Sequence, residues 1–343
     1  MSGPVRDARL IFLGTGTSGG IPLIACSCPV CASQDPRDTR TRTGAAVQWI
    51  DPGGTPRTVL LDATPDLRQQ ALRHDLTRCD AIFFTHSHVD HIFGLDEVRR
   101  FNAVMKAPID VYAEPAVLEA LKRVYKHVFD KDAADNDSFV ATLIAHPVDV
   151  PERGGAGAPI DCWGLRFTPI RMMHGRLPIL GWRVEETGNR QQATGNSQEK
   201  PQRAMSSPSA ECPVPSASPF PLAYCTDVSA IPTASWAALT GLRTVVLDAL
   251  RIRRHPTHFS LDQAVSAAER IGAAQSFFVH MSHEIAHAKV DEGLPEGMNL
   301  AYDGLVLGTP AQARSVAPPV ARQTRADDPG EEWNPGTAEG RKG

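Results

Sequence analysis

An α/β domain of layered sheets is the fold class the sequence predicts, on three observations. Short β-rich apolar runs recur along the chain, each closed by a polar or turn residue; stretches with helical apolar spacing lie between several of them; and no segment repeats at a fixed period. Residues 8–13, ARLIFL, read as the first strand, 58–62, TVLLD, as a later one, and 80–85, DAIFFT, as another. After Gly94, DEVRRFNAVM places Val98, Phe101 and Met105 on one helical face. PAVLEALKRVYKHVF does the same from Pro115, with proline at the first helical position, where a missing N–H costs nothing. Further apolar runs end at Met173, at Tyr224 and Cys225, at Leu247 and at Val279. SLDQAVSAAERIG reads as a helix with Ser260 as N-cap and Gly272 as its stop.

The 343 residues, 42% of them hydrophobic, suffice for a sizeable core. A formal net charge of -4 leaves no overall basic field to hold a polyanion, so a nucleic-acid partner is not expected. Arg6 and Arg9 precede only Leu10 to Leu13 before glycines begin, too short an apolar run for a signal peptide. No run approaches a membrane span, so the expectation is a cytoplasmic protein with no membrane partner. Residues 187–219 are rich in Ser, Pro, Gln and Gly and hold no aromatic residue, so they cannot bury enough apolar surface to offset their ordering entropy. They read as a disordered insertion, and 310–343 as a solvated tail, leaving one ordered domain over 7–309.

Within THSHVDH, three histidines and an aspartate fall in six residues at the end of an apolar run. His86 and His88, two apart in an extended segment, can aim at one ion, and Asp90 and His91 at a neighbouring position. Imidazole with carboxylate suits zinc, manganese or iron better than calcium or magnesium. Two adjacent ions need more ligands, and the strand ends offer them. His174 closes LRFTPIRMMH, Asp227 follows LAYCT, and His280 closes SFFVH.

GTGTSG from Gly14 satisfies G-x-G-x-x-G, but Pro22 and CSCPVC follow where a dinucleotide site needs a helix N-terminus. A tight loop beside the site is read instead. The seven cysteines are odd in number and no secretion signal accompanies them, so a disulfide framework is not expected. Cys26, Cys28 and Cys31 form C-x-C-x-x-C, three ligands of a tetrahedral zinc. His283, three residues past His280, is the expected fourth, with inert buried cysteines as the alternative.

THSHVDH with His174, Asp227 and His280 resembles the metallo-β-lactamase superfamily of hydrolases, over nearly all of the ordered body. LGTGTSGGIP, CSCPVC, HPTHFSLD, VHMSHE and LAYDG resemble more closely the branch that contains the phosphoribosyl 1,2-cyclic phosphate phosphodiesterase. The resemblance implies a four-layer αββα sandwich with its metals at one edge. It implies that His86, His88 and His174 hold one divalent ion, zinc or manganese, that Asp90, His91 and His280 hold the other, and that Asp227 bridges them. A structural zinc on three cysteines and a histidine is implied as well.

Two cations a few ångströms apart lower the pKa of a bridging water and neutralise the charge that develops at phosphorus. The departing alkoxide must then be protonated, and His255 and His258 in RRHPTHFSLD are the candidates. His258 corresponds to the family's general acid. Asp62, closing TVLLD, reads as a carboxylate that orients a ligand histidine, or as a turn residue. Arg99, Arg100 and Arg176 are candidates for meeting phosphate or for plain solvation, and Tyr302 and Asp303 lie in a family-like stretch. The expected function is a metal-dependent phosphodiesterase acting on a small phosphorylated substrate, a cyclic or diester phosphate. A homodimer is left open. The alternatives are a thioester or lactone hydrolase, a tRNA 3′-processing nuclease, whose basic arm has no counterpart in 187–219, and a non-catalytic carrier. GTGTSGGIP and TPDLRQQ also resemble the pyrroloquinoline quinone biosynthesis protein B, whose histidine motif is degraded where this one is complete.

Overall fold

In the computed structural model, which describes residues 3–129, 140–187 and 218–308, two seven-stranded sheets pack face to face. The first is built from β1 (Arg6–Gly14), β2 (Gly44–Ile50), β3 (Pro56–Leu61), β4 (Ala81–Phe83), β5 (Ile109–Ala113) and β6 (Leu143–Pro147), with β14 (Val306–Gly308) returning beside β1. The second contains β7 (Ile160–Cys162), β8 (Leu165–His174), β9 (Leu177–Glu186), β10 (Leu222–Cys225), β11 (Thr244–Asp248), β12 (Gln275–Val279) and β13 (Met298–Leu300), in the spatial order β13-β12-β11-β10-β9-β8-β7. In each sheet one half is antiparallel and the other parallel, with β3 to β6 and β10 to β13 forming the parallel halves.

Alternation along the strands sorts the side chains into layers. On β1, Leu10 and Phe12 face the second sheet, while Ile11 and Leu13 face the helices. Between the sheets Phe83 stacks on Phe167 at 4.2 Å and meets Trp182 edge-on at 4.9 Å. The outer face of the first sheet is covered by α1 (Leu67–Arg73), α2 (Val89–Ile92), α3 (Arg99–Met105), α4 (Pro115–Val124) and α5 (Lys126–Phe129). The second sheet is covered by α6 (Leu261–Ile271) and α7 (His287–Asp291), whose Ala264, Ala267 and Val290 pack on it. The layers are therefore α, β, β, α, as expected. Among the described residues no helix is long and apolar enough to cross a membrane.

Several boundaries differ from those the sequence suggests. The strand expected at 80–85 ends at Phe83, because the chain then leaves the sheet to place its histidines. The helix after Gly94 begins as a 3-10 turn, Leu95–Val98, before α3. A Cβ at Gly94 would lie 1.9 Å from the Thr64 carbonyl, so only glycine lets the chain pass there. The helix from Pro115 breaks at Tyr125, whose hydroxyl donates to Ile92 O at 2.9 Å. In contrast, α6 keeps its expected N-cap Ser260, to which the structure adds a capping box with Gln263, and its expected stop at the left-handed Gly272. The expected insertion lies outside the described residues apart from Thr187, which donates to Gly164 O at 2.9 Å, and Ser218 and Pro219. The expected tail at 310–343 lies outside them entirely, as do Cys212 and Thr309.

Candidate metal centre

Parallel strands end on one edge of their sheet, and the residues singled out from the sequence stand on those ends. Asp62 follows β3, His86 to His91 follow β4, His174 ends β8, Asp227 follows β10, and His280 follows β12. Asp62, Asp227 and His280 have φ of 65°, 61° and 61°, the left-handed region that residues with a Cβ seldom adopt. Each turns the chain sharply off its strand so that the side chain points along the edge, strain of the kind that functional sites retain.

Asp227 is at the centre. One of its oxygens, Oδ1, lies 3.2 Å from His91 Nε2 and 3.0 Å from His280 Nδ1, and the other, Oδ2, lies 3.9 Å from His86 Nε2. Asp90 Oδ2 is 3.4 Å from His91 Nε2. Potential ligand atoms of Asp90, His91, Asp227 and His280 fall within 4.8 Å of one another, and so do those of His174, Asp227 and His258. His86 and His88 border the second group, with ring centroids 4.5 Å apart and 5.7 and 5.0 Å from that of His174. The structure thus brings all seven expected residues together, and sets His258 as close to His174 and Asp227 as a ligand would be.

The outward faces of these imidazoles are fixed from behind. Asp62 Oδ2 meets His91 Nδ1 at 2.8 Å and accepts from the Thr85 hydroxyl at 2.9 Å, and Thr85 Oγ1 in turn lies 2.9 Å from His86 Nδ1. One buried carboxylate therefore orients a histidine on each side of Asp227. His174 Nδ1 donates to the Thr257 carbonyl at 2.6 Å, and His258 Nδ1 pairs with Asp248 Oδ2 at 2.8 Å. Thr17 Oγ1 is 3.2 Å from His280 Nε2.

The inward atoms tell the complementary story. His86 Nε2, His91 Nε2 and His280 Nδ1 are buried and, although the Asp227 carboxylate lies 3.0 to 3.9 Å from them, make no hydrogen bond of good geometry. Buried imidazole nitrogens are ordinarily satisfied, so lone pairs aimed at shared space between carboxylates fit a divalent cation. Burial, followed by the neighbouring His91, pushes His86 well below the ordinary imidazole range, and burial also lowers His88 and His174, which keeps them neutral as ligands must be. Burial opposes charge on His91 and His280, yet Asp227 raises both. Burial, then His280, holds His258 at about 4, whereas burial raises its partner Asp248 well above the carboxylate range.

A second constellation lies beside the first. Cys26, Cys28 and Cys31 Sγ are 3.3, 3.5 and 3.7 Å from His283 Nδ1. A tetrahedron with Zn–S about 2.3 Å and Zn–N about 2.1 Å has S···N edges of about 3.6 Å, so these four residues fit a zinc ion. The Cys31 N–H bonds to Cys28 Sγ at 3.4 Å and lowers that thiol to about 7, while burial pushes the Cys31 thiol up to about 11. The fully buried Arg40 side chain ties the same loops together, donating to Ile285 O at 2.8 Å, Asp38 Oδ1 at 3.0 Å and Ser282 O at 3.1 Å. Cys79, Cys162 and Cys225 are buried in packing roles.

The glycine loop makes no dinucleotide site, since no α-helix opens between β1 and β2. A Cβ at Gly14 would fall 2.0 Å from Arg42 O, the close approach expected there. His255 meets Thr257 Oγ1 at 3.1 Å and lies with its ring 5.3 Å from that of His258, and Arg99 pairs with Asp96 at 2.8 Å. Asp303 accepts from Thr15 N and Thr41 N at 2.9 and 2.8 Å, holding the glycine loop rather than reaching the site. Asp248 and Thr85 are absent from the sequence-based candidates. Asp248 had a signal, because TVVLD at 244–248 repeats the pattern of TVLLD at 58–62, a β run closed by a carboxylate.

Residues 57–204 and 216–281 match the beta-lactamase superfamily domain. A diphosphatase from the PhnP family superposes with a TM-score of 0.69 at 36% identity, over 88% of this chain and 97% of that one. An octanoyltransferase of Porphyromonas gingivalis is 31% identical over 87% of this chain and 51% of its own length. The coenzyme PQQ synthesis protein B of Methylobacterium nodulans is 35% identical over 37% of this chain and 43% of its own length. The aligned regions thus span about half, or less, of the length of these curated relatives.

Proposed function

The chain belongs to the metallo-β-lactamase superfamily, and from that membership we propose that it is a hydrolase with two divalent metal ions, a phosphodiesterase acting on a small cyclic or diester phosphate. The observation that carries the reading is the gathering of His86, His88, Asp90, His91, His174 and His280 around Asp227, with three buried imidazole nitrogens turned into the same space. His86, His88 and His174 would hold one ion, Asp90, His91 and His280 the other, with Asp227 between them. When bound, such a pair activates water and neutralises negative charge at phosphorus. Zinc and manganese both accept these ligands, and a separate zinc on Cys26, Cys28, Cys31 and His283 would hold the N-terminal loop against the segment after His280.

The rest of the chemistry belongs to the protein. Asp62 keeps His91, and through Thr85 His86, turned toward the cations. His258, with ring centroids 4.5 Å from His174 and 4.8 Å from His280, holds its Nδ1 on the buried Asp248 and so presents Nε2 to the leaving oxygen. We assign it the delivery of the proton that an alkoxide needs on departure. Asp248 Oδ2, 2.8 Å from Nδ1, fixes the orientation of the ring. A phosphate ester calls for such an acid, which favours phosphorus over a thioester or lactone carbonyl as the centre attacked. The PhnP-family diphosphatase, alike over almost its whole length, supports phosphorus chemistry as well. Metal-loaded protein is expected to hydrolyse bis-p-nitrophenyl phosphate in preference to lactonylglutathione; turnover of the thioester alone would end the phosphodiesterase reading.

A further inference from the structure

We infer that the site takes a diester with a hydrocarbon or aromatic arm beside the bond it breaks, and that Leu177, Val89 and Phe93 select that arm. The inference rests on the hydrolase reading above and narrows its substrate class away from simple sugar phosphates.

Large apolar side chains standing singly in water need no explanation, but several at the mouth of one site do. Leu177 is 39% exposed and directly opposite His174 in the β8–β9 ladder. Residues paired across a ladder project to the same face, so Leu177 stands beside His174 on the side turned toward Asp227. His88 is exposed, whereas His86, His91, His174, Asp227 and His280 are buried, so solvent and substrate reach the centre past His88. The next residue, Val89, is 55% exposed, and Phe93, one turn on along α2 and on the same face, is 48% exposed. Val89 follows His88 in the chain and Leu177 pairs with His174, and the rings of these two histidines are 5.0 Å apart, so both exposed apolar residues belong to segments that meet at the centre. Between His174 and Leu177 the exposed Arg176 adds positive charge to the lip. A cation set beside apolar side chains, next to a cation-binding centre, matches an anion that carries an apolar arm.

The test uses methyl, butyl and octyl p-nitrophenyl phosphate, whose leaving group is constant, on metal-loaded full-length protein. Calorimetric binding of the matching alkylphosphonates gives a readout independent of turnover. Both kcat/KM and affinity are expected to rise with chain length, by up to about four-fold per methylene buried. Leu177→Ser and Val89→Ser, surface changes that leave the core intact, are each expected to cut the octyl-to-methyl ratio about ten-fold. A flat series in the parent, or an unaltered ratio in both variants, overturns the inference. If no diester is turned over but phosphonate affinity still climbs with length and falls in both variants, the phosphodiesterase reading fails and the diester with it, while selection of an apolar arm by these residues is upheld. If the variants break a dimer and keep the ratio, the lip is a contact between copies of the chain and the inference is wrong.

Discussion

Single residues decide the chemistry at this edge, and two of them separate binding from turnover. His258→Ala is expected to retain the site's metal yet lose about 10²–10⁴-fold in turnover, the usual worth of a placed proton donor. Unchanged phosphodiester turnover, followed by p-nitrophenol release, would remove His258 from that role. Asp62 is buried behind the site, where it orients one histidine directly and another through Thr85. Asp62→Asn is therefore expected to weaken metal affinity about 10- to 100-fold at both positions, read by competition with a chelating dye. Loss at one position only would contradict the shared anchor. The seven ligand candidates were legible in the sequence because four of them crowd into six residues after one apolar run and His174, Asp227 and His280 each close a run of their own, and apolar runs are strands whose ends align. Asp248 and Thr85 were not singled out: the run before Asp248 was read as ending at Leu247, and Thr85 matters through a hydroxyl contact that exists only in three dimensions.

At the scale of elements, the N-terminal loop between β1 and β2 is the piece most in need of a clamp. It holds one short 3-10 turn and no α-helix, and its ties are the Cys26, Cys28, Cys31 and His283 cluster, the buried Arg40, and the Asp303 bonds to Thr15 and Thr41. Cys28→Ser is expected to release one zinc and to speed hydrogen exchange across residues 15–43, while Arg40 keeps part of the loop docked. Full metal retention with unchanged exchange would mean that the cysteines are packing residues. The sequence located this loop through its cysteine spacing, and α6 through its cap and stop. It did not locate β2, β5, β6, β7, β9, β13 or β14; on β2 and β9 consecutive residues of both faces are buried, which removes the alternation a half-exposed strand would show. The break at Tyr125 depends on a hydroxyl reaching Ile92, 33 residues away, and no local pattern encodes it.

Across the whole molecule, the two sheets are stitched by interdigitated aromatics such as Phe83, Phe167 and Trp182, and each sheet brings candidate ligands to a common rim. Asp90 and His91 come from the first sheet, and His174, Asp227 and His280 from the second, so the centre forms only when the sheets are packed. Metal occupancy at Asp227 is thus a report on the complete fold as well as on the chemistry. The most direct measurement is elemental analysis of the purified protein beside Asp227→Ala, after dialysis against metal-free buffer. About three divalent ions per chain are expected in the parent and about one, the cysteine-bound zinc, in the variant. Equal metal content in the two proteins would contradict the dinuclear centre.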